Sequence, residues 1–564
     1  MPVFLPVAGL SLDVLALVAA GGGVGFLSGL LGVGGGFLLT PLLMMLGIPP
    51  TVAAASGTNA LVATASSGVA AHFRFGNVDM KMGSVLLLGG LTGASAGVEL
   101  IKVLRLLGNA DVFIKLSYIL VLGAVGGYMV FESLRNLSGW RPELEGEIPS
   151  ARKPLLKRLP WQMDFPRSQV RHSVLVPFLL CALVGVLAAV MGVGGGFLMV
   201  PMMVYLLRMP AHVAVGTDLF QIVFTAAGVT LMQAVANQTV DVVLALMLAG
   251  ASAIGAQFGA MASRRLRSEH LLLLLGTLGL GMALKMAFGI VAAPPVLLES
   301  GHGERQAAAA RRERSRTADG RLKVTPERIE IGGIYGGATV RVEGVASPGS
   351  SLIVVARGPG AAENFQRKGR VGPIWVTTGR VRVEGAPSLF LLHAPEPVER
   401  LLSREEIERF ELDPGAIQRG LRISPAGRDT GRLRKDFVRM KAARGAYRVT
   451  AGGVRMGQPG PDGVSFRADI PWPRTAPPDS YEVRVYECAG GRVAGVSSAP
   501  LEVVKTGFPA LVEELSARHR LVYGAGAVLA AMLAGFGIDF LVSLLRRKLS
   551  RKPRLERARV KGLH

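Results

Sequence analysis

Long apolar runs recur along the first half of the chain and indicate helices that cross a membrane. About 20 apolar residues in a helix span the hydrocarbon core of a bilayer. Eight such runs lie at 12–31, 52–72, 83–104, 113–133, 174–207, 211–236, 241–262 and 271–292. A ninth run, 521–545, ends against a basic segment that begins at Arg546. The pattern predicts a polytopic α-helical membrane protein with nine crossings.

Beyond Glu299 the pattern changes to short alternating segments separated by Gly and Pro. Examples are Thr339–Val342, Leu352–Val355, Ile374–Thr377 and Val483–Tyr486. Alternation with a period of two is typical of β-strands that bury one face. We expect residues 322–510 to form a β-rich, sandwich-like extracytoplasmic domain with a charged helical insertion around Arg404–Glu411.

Four short motifs recur in the same order at offsets of 159 to 162 residues. The pairs are Gly32–Leu38 with Gly192–Leu198, each followed by a proline, Gly57–Asn59 with Gly216–Asp218, Val78–Asp79 with Val240–Asp241, and Gly93, Ala94 and Gly97 with Gly255, Ala256 and Gly259. Each half contains four predicted crossings. We therefore expect two parallel repeats of four transmembrane helices with broken helices, related by an axis along the membrane normal.

These features divide the chain into seven predicted regions. The four-helix repeats, 1–134 and 173–293, flank a basic inter-repeat loop, 135–172. The remaining regions are a linker, 294–321, the β-rich periplasmic domain, 322–510, a C-terminal transmembrane helix, 519–545, and a basic cytoplasmic tail, 546–564.

The duplicated glycine motif predicts a break in a membrane helix. Each Gly weakens a helix by about 1 kcal/mol relative to Ala, and a broken backbone at membrane depth is tolerated where protein or a polar cavity encloses it. The amides that start the following half-helix suit an anion. The candidate substrate-binding residues are Gly34, Gly35, Gly36, Gly194, Gly195 and Gly196. The alternative is that these glycines only let helices pack closely.

The second duplicated motif places polar side chains inside apolar runs. Lipid disfavours such groups, so Thr58, Asn59 and Thr217 are expected to face inward and contact substrate. Asp218 corresponds to Asn59 but carries a carboxylate, which makes Asp218 the candidate group for a coupling proton or sodium ion. The alternative is that these side chains only satisfy backbone groups freed by the helix breaks.

Charge and composition narrow the function classes. Half of the residues are hydrophobic and the net charge is +23. The charge is concentrated in the segment 135–172 and in the tail 546–564, which indicates contact with the lipid bilayer and not with nucleic acid. Gly93–Gly97 matches a nucleophile elbow by letter, but it lies in mid-helix, where helix packing explains it better. We predict no enzyme, no cofactor and no metal site.

The glycine, Gly-Thr-Asn/Asp and Val-Asp motifs resemble those of the sulfite exporter family TauE/SafE over about residues 10–293. The resemblance implies ion-coupled transport of sulfite, sulfoacetate, thiosulfate or a related small anion. Residues 322–548 resemble an uncharacterised alphaproteobacterial transmembrane family. The motifs are Ile331–Gly337, Val354–Pro359, Arg367–Val376 and Lys505–Phe508. Together the two resemblances imply a fusion.

The sequence thus predicts an inner-membrane transporter of a small sulfur-containing anion. The rival hypothesis is an envelope sensor or assembly factor whose periplasmic domain binds a protein partner and whose permease-like part is an anchor. The topology signals conflict. Nine crossings and a cytoplasmic tail put the basic loop 135–172 on the outer side of the membrane, whereas basic loops favour the cytoplasmic side. A re-entrant half-helix at 36–47 would change that count.

Overall fold

The computed structural model describes residues 2–31, 36–137, 160–263, 268–292, 294, 298–300, 322–360, 362–425, 429–460 and 463–560. The chain forms two compact units. The first, here the helical unit, contains Leu5–Ala8, Asp13–Gly289 and Val512–His564. The second, here the β-rich unit, contains Met1–Phe4, Gly9–Leu12 and Ile290–Leu511.

The helical unit contains two series of helices in the same order. The first series is α1 (Val14–Leu31), α2 (Gly36–Met45), α3 (Pro50–Arg74), α4 (Met80–Leu106) and α5 (Ala110–Leu137). The second series is α6 (Leu175–Met191), α7 (Gly196–Pro201), α8 (Ala211–Met232), α9 (Val242–Ser263) and α10 (Ser268–Val291). Helices α7 and α8 continue into π-helical turns, Met202–Leu206 and Gln233–Asn237.

Five described helical segments are long and apolar enough to cross a membrane. They are Met80–Leu106, Ala110–Arg135, Ala211–Asn237, Val242–Gly259 and Arg520–Leu541. Shorter apolar segments are Val14–Ser28, Gly36–Met45, Leu175–Met191, Gly196–Leu206 and Gly276–Val291. These helices indicate a membrane protein. The run 174–207 is not one continuous helix, as its glycine motif predicted, because α6 ends at Met191 and α7 begins at Gly196.

A short β-hairpin precedes each helix series. The first pairs β1 (Pro2–Leu5) with β2 (Leu10–Asp13), and the second pairs β3 (Gln162–Phe165) with β4 (Val170–Ser173). The sequence did not predict these hairpins, because four-residue strands give too few alternations to stand out from the flanking segments. One signal was present, since Pro6 and Pro166 follow β1 and β3 at the offset of the repeat.

Glycines let the first helix of each series pack closely on a helix of the other series. A Cβ at Gly93 of α4 would overlap the carbonyl oxygen of Ala182 on α6. In the same way, a Cβ at Gly255 of α9 would overlap the carbonyl oxygen of Gly22 on α1. The interpretation of Gly93–Gly97 as a packing motif is confirmed, and the matching glycines of the second half serve the same purpose.

The β-rich unit is built around a six-stranded sheet in the order β14-β12-β9-β17-β18-β7. These strands are β14 (Tyr447–Ala451), β12 (Phe390–Ala394), β9 (Ser351–Arg357), β17 (Asp479–Ala489), β18 (Arg492–Lys505) and β7 (Arg328–Ile331). Alternate residues of β9 enter different cores: Leu352 and Val354 lie in one, and Ile353 and Val355 lie in the other. The sheet is therefore buried on both faces, and the predicted β-rich region is confirmed.

Two smaller sheets and a helical insertion complete these cores. One four-stranded sheet has the order β15-β16-β8-β6, with β15 (Val454–Gly460), β16 (Gly463–Trp472), β8 (Ala338–Ala346) and β6 (Leu322–Thr325). The other has the order β13-β11-β10-β5, with β13 (Arg422–Ser424), β11 (Ile374–Glu384), β10 (Glu363–Val371) and β5 (Leu298–Ser300). The insertion comprises α11 (Val398–Leu401), α12 (Arg404–Phe410), α13 (Pro414–Gly420) and α14 (Thr430–Ala443). It confirms the helices expected around Arg404–Glu411.

The C-terminal helices are α15 (Phe508–Arg518) and α16 (Arg520–Val560). Helix α16 packs tightly against α3, because a Cβ at Gly535 would overlap the carbonyl oxygen of Ala63. The hydroxyl of Tyr523 donates to the carbonyl oxygen of Val240 over 2.8 Å. The ninth predicted helix is therefore part of the helical unit's packing.

Candidate functional site

The two glycine motifs meet at the centre of the helical unit. The rings of Phe37 and Phe197, which occupy the same position in the two motifs, stack with their centroids 5.1 Å apart. A Cβ at Gly36 would lie 2.9 Å from the carbonyl oxygen of Val193, so the absence of a side chain lets the two segments approach. Leu61 of α3 lies against both, within 2.8 Å of the Cβ positions of Gly36 and Gly194.

The predicted helix break is confirmed in the second motif. Gly192, Gly194 and Gly195 have φ angles of 72°, 72° and 79°. Residues with a side chain rarely adopt this left-handed conformation, which explains why glycine is used here. Gly34 and Gly35 lie outside the described residues, and α2 begins at Gly36.

The carboxylate of Asp218 lies beside the start of α7. Its Oδ2 is 2.8 Å from the position that a Cβ at Gly196 would occupy, and its side chain is buried. Its Oδ1 accepts a hydrogen bond from Nε2 of Gln221 over 3.4 Å. The structure therefore brings Gly196 and Asp218 together, although the sequence predicted them for different roles, substrate binding and coupling.

A small cavity lies between α3, α4, α6 and α8. Its polar lining consists of Thr58, Cys181, Gln221 and Thr225, and its remaining lining is Gly90, Ala94, Val184, Gly185, Ala188, Gly194, Ala226 and Val229. Two predicted site residues, Thr58 and Gly194, thus line one cavity. Three glycines in the lining leave room beside the polar groups because they have no side chain.

Gln221, Thr225 and Cys181 are polar residues of the cavity that sequence reasoning missed. The Thr225 hydroxyl donates to the backbone carbonyl oxygen of Gln221 over 2.7 Å and lies 3.1 Å from Oε1 of the same residue, and the Cys181 thiol donates to that Oε1 over 3.7 Å. A signal was available, since Gln221 and Thr225 follow Asp218 by three and seven residues in an apolar run. This spacing places all three on one helix face.

Thr217 and Asn59 have different surroundings. The Thr217 hydroxyl accepts a hydrogen bond from the backbone amide of Asp79 over 3.0 Å, which ties α8 to the start of α4. Asn59 is fully buried, and its side-chain oxygen and nitrogen have no hydrogen-bond partner among the described residues. Thr217 is thus engaged in helix packing, whereas Asn59 keeps its donor and acceptor free.

The two Val-Asp motifs hold the hairpins of the opposite series. Asp79 Oδ2 accepts from the backbone amide and the hydroxyl of Ser168, over 3.0 and 2.6 Å. Asp241 Oδ2 accepts from the backbone amides of Val7 and Ala8, over 2.9 and 3.3 Å. Each aspartate lies one residue before a helix and also accepts from that helix's first turn. These two equivalent contacts give a structural reason for the duplication of the Val-Asp motif.

Two known protein families match two different parts of the chain, and the boundary between the matches lies where the apolar helical pattern gives way to the alternating β pattern. Residues 17–286 match the family described as "Sulfite exporter TauE/SafE". Residues 321–543 match the family described as "Putative transmembrane protein". Both resemblances inferred from the sequence motifs, and their fusion in one chain, are confirmed.

The similar curated proteins are membrane transporters by name. "Probable membrane transporter protein YunE" of Bacillus subtilis is 26% identical over 272 residues, which are 47% of this chain and 92% of that protein. "Probable membrane transporter protein YjnA" of the same species is 28% identical over 277 residues, or 48% and 99%. A "Probable membrane transporter protein" of Xylella fastidiosa is 28% identical over 270 residues, or 46% and 89%. No solved structure matches the chain.

Proposed function

We propose that this protein transports a small sulfur-containing oxyanion, such as sulfite, across the cell inner membrane. The observation that carries the proposal is the cavity lined by Thr58, Cys181, Gln221 and Thr225, which lies where the second glycine motif meets α3 and α8. Hydroxyl and amide groups in a buried cavity can replace the water around an anion.

The two helix series act as parallel repeats in this proposal. A helix begins within the glycine motif of each series, at Gly36 or Gly196, and the motifs meet through Phe37 and Phe197. Transporters with such repeats expose a central site to either side by rocking one repeat against the other. The stacked rings lie at the junction about which that motion would occur.

The repeats differ in charge at equivalent positions, and we assign them different tasks. Asn59 is neutral and keeps unpaired polar atoms, which suits contact with an anion. Asp218 is a buried carboxylate that accepts a hydrogen bond from Gln221, which suits an exchangeable proton or sodium ion. Gly36, Gly194, Gly195 and Gly196 shape the backbone around these groups.

Residues 322–510 are proposed to lie in the periplasm, where the β-rich unit regulates transport or contacts a protein partner. The rival function, an envelope sensor or assembly factor, requires no anion flux through the helical unit. Helix α16 packs on α3, so a test that removes the β-rich unit should retain α16.

The experiment is uptake of radiolabelled sulfite into proteoliposomes by two proteins, the full chain and residues 1–300 coexpressed with residues 506–564. Flux in both preparations supports transport and shows that the β-rich unit is not required for it. Stable insertion without flux in either preparation, for sulfite, thiosulfate or sulfoacetate, contradicts the proposal and favours the sensor.

A further inference from the structure

Gln221 lines the cavity, and its carboxamide also contacts the Asp218 carboxylate. Its Nε2 faces Asp218, and its Oε1 lies beside the Thr225 hydroxyl and accepts from the Cys181 thiol. Gly90 of α4 makes this arrangement possible, because its missing Cβ would lie 3.1 Å from Oε1 of Gln221. One buried side chain therefore contacts both the candidate coupling group and the cavity.

The observed orientation of the carboxamide disfavours an anion in the cavity. The Cys181 thiol donates to Oε1, and the single hydrogen of the Thr225 hydroxyl is held by the backbone carbonyl oxygen of Gln221, 2.7 Å away, so neither hydrogen is available to a ligand. Oε1, which lies beside the lining residues Thr225 and Cys181, carries a partial negative charge, and the charged form of Asp218 adds repulsion at short range. The cavity is thus poorly suited to an anion while Asp218 is ionised.

Protonation of Asp218 reverses this preference. A neutral carboxyl group gains an O–H donor, which can pair with a carboxamide oxygen. Half a turn about the last side-chain bond of Gln221 exchanges its oxygen and nitrogen, and this torsion has two broad minima. The turn places Oε1 against Asp218 and Nε2 at the cavity. It also frees the hydrogen of Cys181 for a ligand, while the Thr225 hydroxyl keeps its bond to the backbone carbonyl oxygen of Gln221.

We infer that Gln221 is a positioning residue that links protonation of Asp218 to binding of the oxyanion in the cavity, through rotation of its carboxamide. The inference rests on the proposed function and assigns its coupling: a proton and an anion bind together and cross the membrane in the same direction. Thermodynamic linkage requires that each ligand raise the affinity for the other by the same factor.

Other titratable groups contact α8 or its neighbours. They are His72 on α3, beside Gly216, Asp79 at the start of α4, beside Thr217, Cys181 on α6, and Asp539 on α16, which pairs with Arg74. Of these, the Cys181 thiol interacts electrostatically with Asp218. Asp79 accepts a hydrogen bond from Ser168, and Asp539 forms an ion pair with Arg74. Asp218 is the carboxyl group that contacts the Gln221 carboxamide, so its protonation can change the orientation of that carboxamide.

The test counts protons taken up when the purified full chain binds thiosulfate, whose charge is constant between about pH 6 and pH 8. Calorimetric titration in buffers of different ionisation enthalpy gives this number. We expect uptake of about one proton per thiosulfate by the wild-type chain above the titration range of Asp218. Gln221→Met, which keeps the length and loses both polar ends, should bind roughly tenfold more weakly with no coupled proton.

Two further variants separate coupling from folding. Gln233→Met removes a buried carboxamide that donates to the carbonyl oxygen of Ala189 over 3.4 Å, outside the cavity lining, and should take up protons as the wild type does. Asp218→Asn has no titrating group and its carboxamide can pair with either orientation of Gln221, so it should bind thiosulfate without pH dependence and without proton uptake.

Three outcomes overturn the inference. Proton uptake by Gln221→Met equal to that of the wild type shows that Gln221 does not link the two ligands. Binding of thiosulfate by the wild type without proton uptake refutes the coupling and leaves the proposed function standing. A wild-type chain that binds neither thiosulfate nor sulfite contradicts the proposed function together with the inference.

Discussion

The rings of Phe37 and Phe197 lie 5.1 Å apart with an angle of 22° between their planes. These residues occupy the same position in two motifs 160 residues apart, so the duplication in the sequence becomes a contact in the fold. The segment that follows each motif begins a new helix, at Gly36 and at Gly196. The stacking of the two rings requires both copies of the glycine motif.

Substitution of Gly195 by valine tests the glycine motif. Gly195 has a φ of 79°, and a Cβ there would lie 2.5 Å from Cγ1 of Val184. A left-handed L-residue costs about 1–2 kcal/mol, and a branched side chain adds the clash. We expect anion flux in proteoliposomes to fall below detection while the protein still inserts.

The matched control for Gly195→Val is Gly23→Ala, because Gly23 lies in α1 with nothing within 4 Å of its Cβ position. The control should keep normal flux. If Gly195→Val transports at the rate of the control, the glycine motif serves only helix packing.

The contact between Asp79 and Ser168 should hold the two helix series together. Asp79→Ala removes the acceptor of two hydrogen bonds from Ser168, and bonds to a charged group contribute about 1.5–3 kcal/mol each. We expect a lower midpoint of thermal unfolding in detergent. A double-mutant cycle with Ser168→Ala isolates the pair, and additive effects of the two substitutions would show that the contact contributes no coupling energy.

Helix α16 should be required for the integrity of the helical unit. In Gly535→Leu the new side chain would overlap the backbone of α3 at Ala63, so we expect α16 to detach and thermal stability to fall. Gly537→Leu is the matched control, since nothing lies within 4 Å of its Cβ position. Equal stability of the two variants would show that α16 is a separate anchor.

His393 should make the β-rich unit less stable in acid. Burial first, and then the nearby charge of Arg448, hold the pKa of His393 below its ordinary value. Both ring nitrogens lack a hydrogen-bond partner among the described residues. The unfolded chain therefore binds the proton more readily, and stability is complete above about pH 6.5 and declines as the pH falls below it.

The measurement for His393 is pulse proteolysis of the full chain between pH 7.5 and pH 5, with the β-rich unit followed by its fragments. His393→Gln removes the titrating group at similar size, so its stability should vary less with pH. The same acid dependence in wild type and variant would assign the effect to other groups.

Sequence patterns predicted most of the helical architecture and part of the candidate site. Apolar length predicted nine crossings, of which five appear as described helical segments long enough to span a membrane, and the glycine motif located the break at Gly192–Gly195, because both signals follow from local physics. The contact between Gly196 and Asp218 could not be predicted, since it joins residues more than 20 positions apart through tertiary packing. Cys181 was missed for the same reason: a lone cysteine in an apolar run gives no sign that it faces Gln221.

The most direct test of the central claim is accumulation of radiolabelled sulfite in proteoliposomes containing the purified full chain, with an imposed pH gradient. We expect accumulation above the equilibrium level in the direction of proton entry, loss of accumulation with retained anion exchange in Asp218→Asn, and normal accumulation in Gln233→Met. Flux of sulfite and thiosulfate no greater than in protein-free liposomes would contradict the assignment of this chain as an anion transporter.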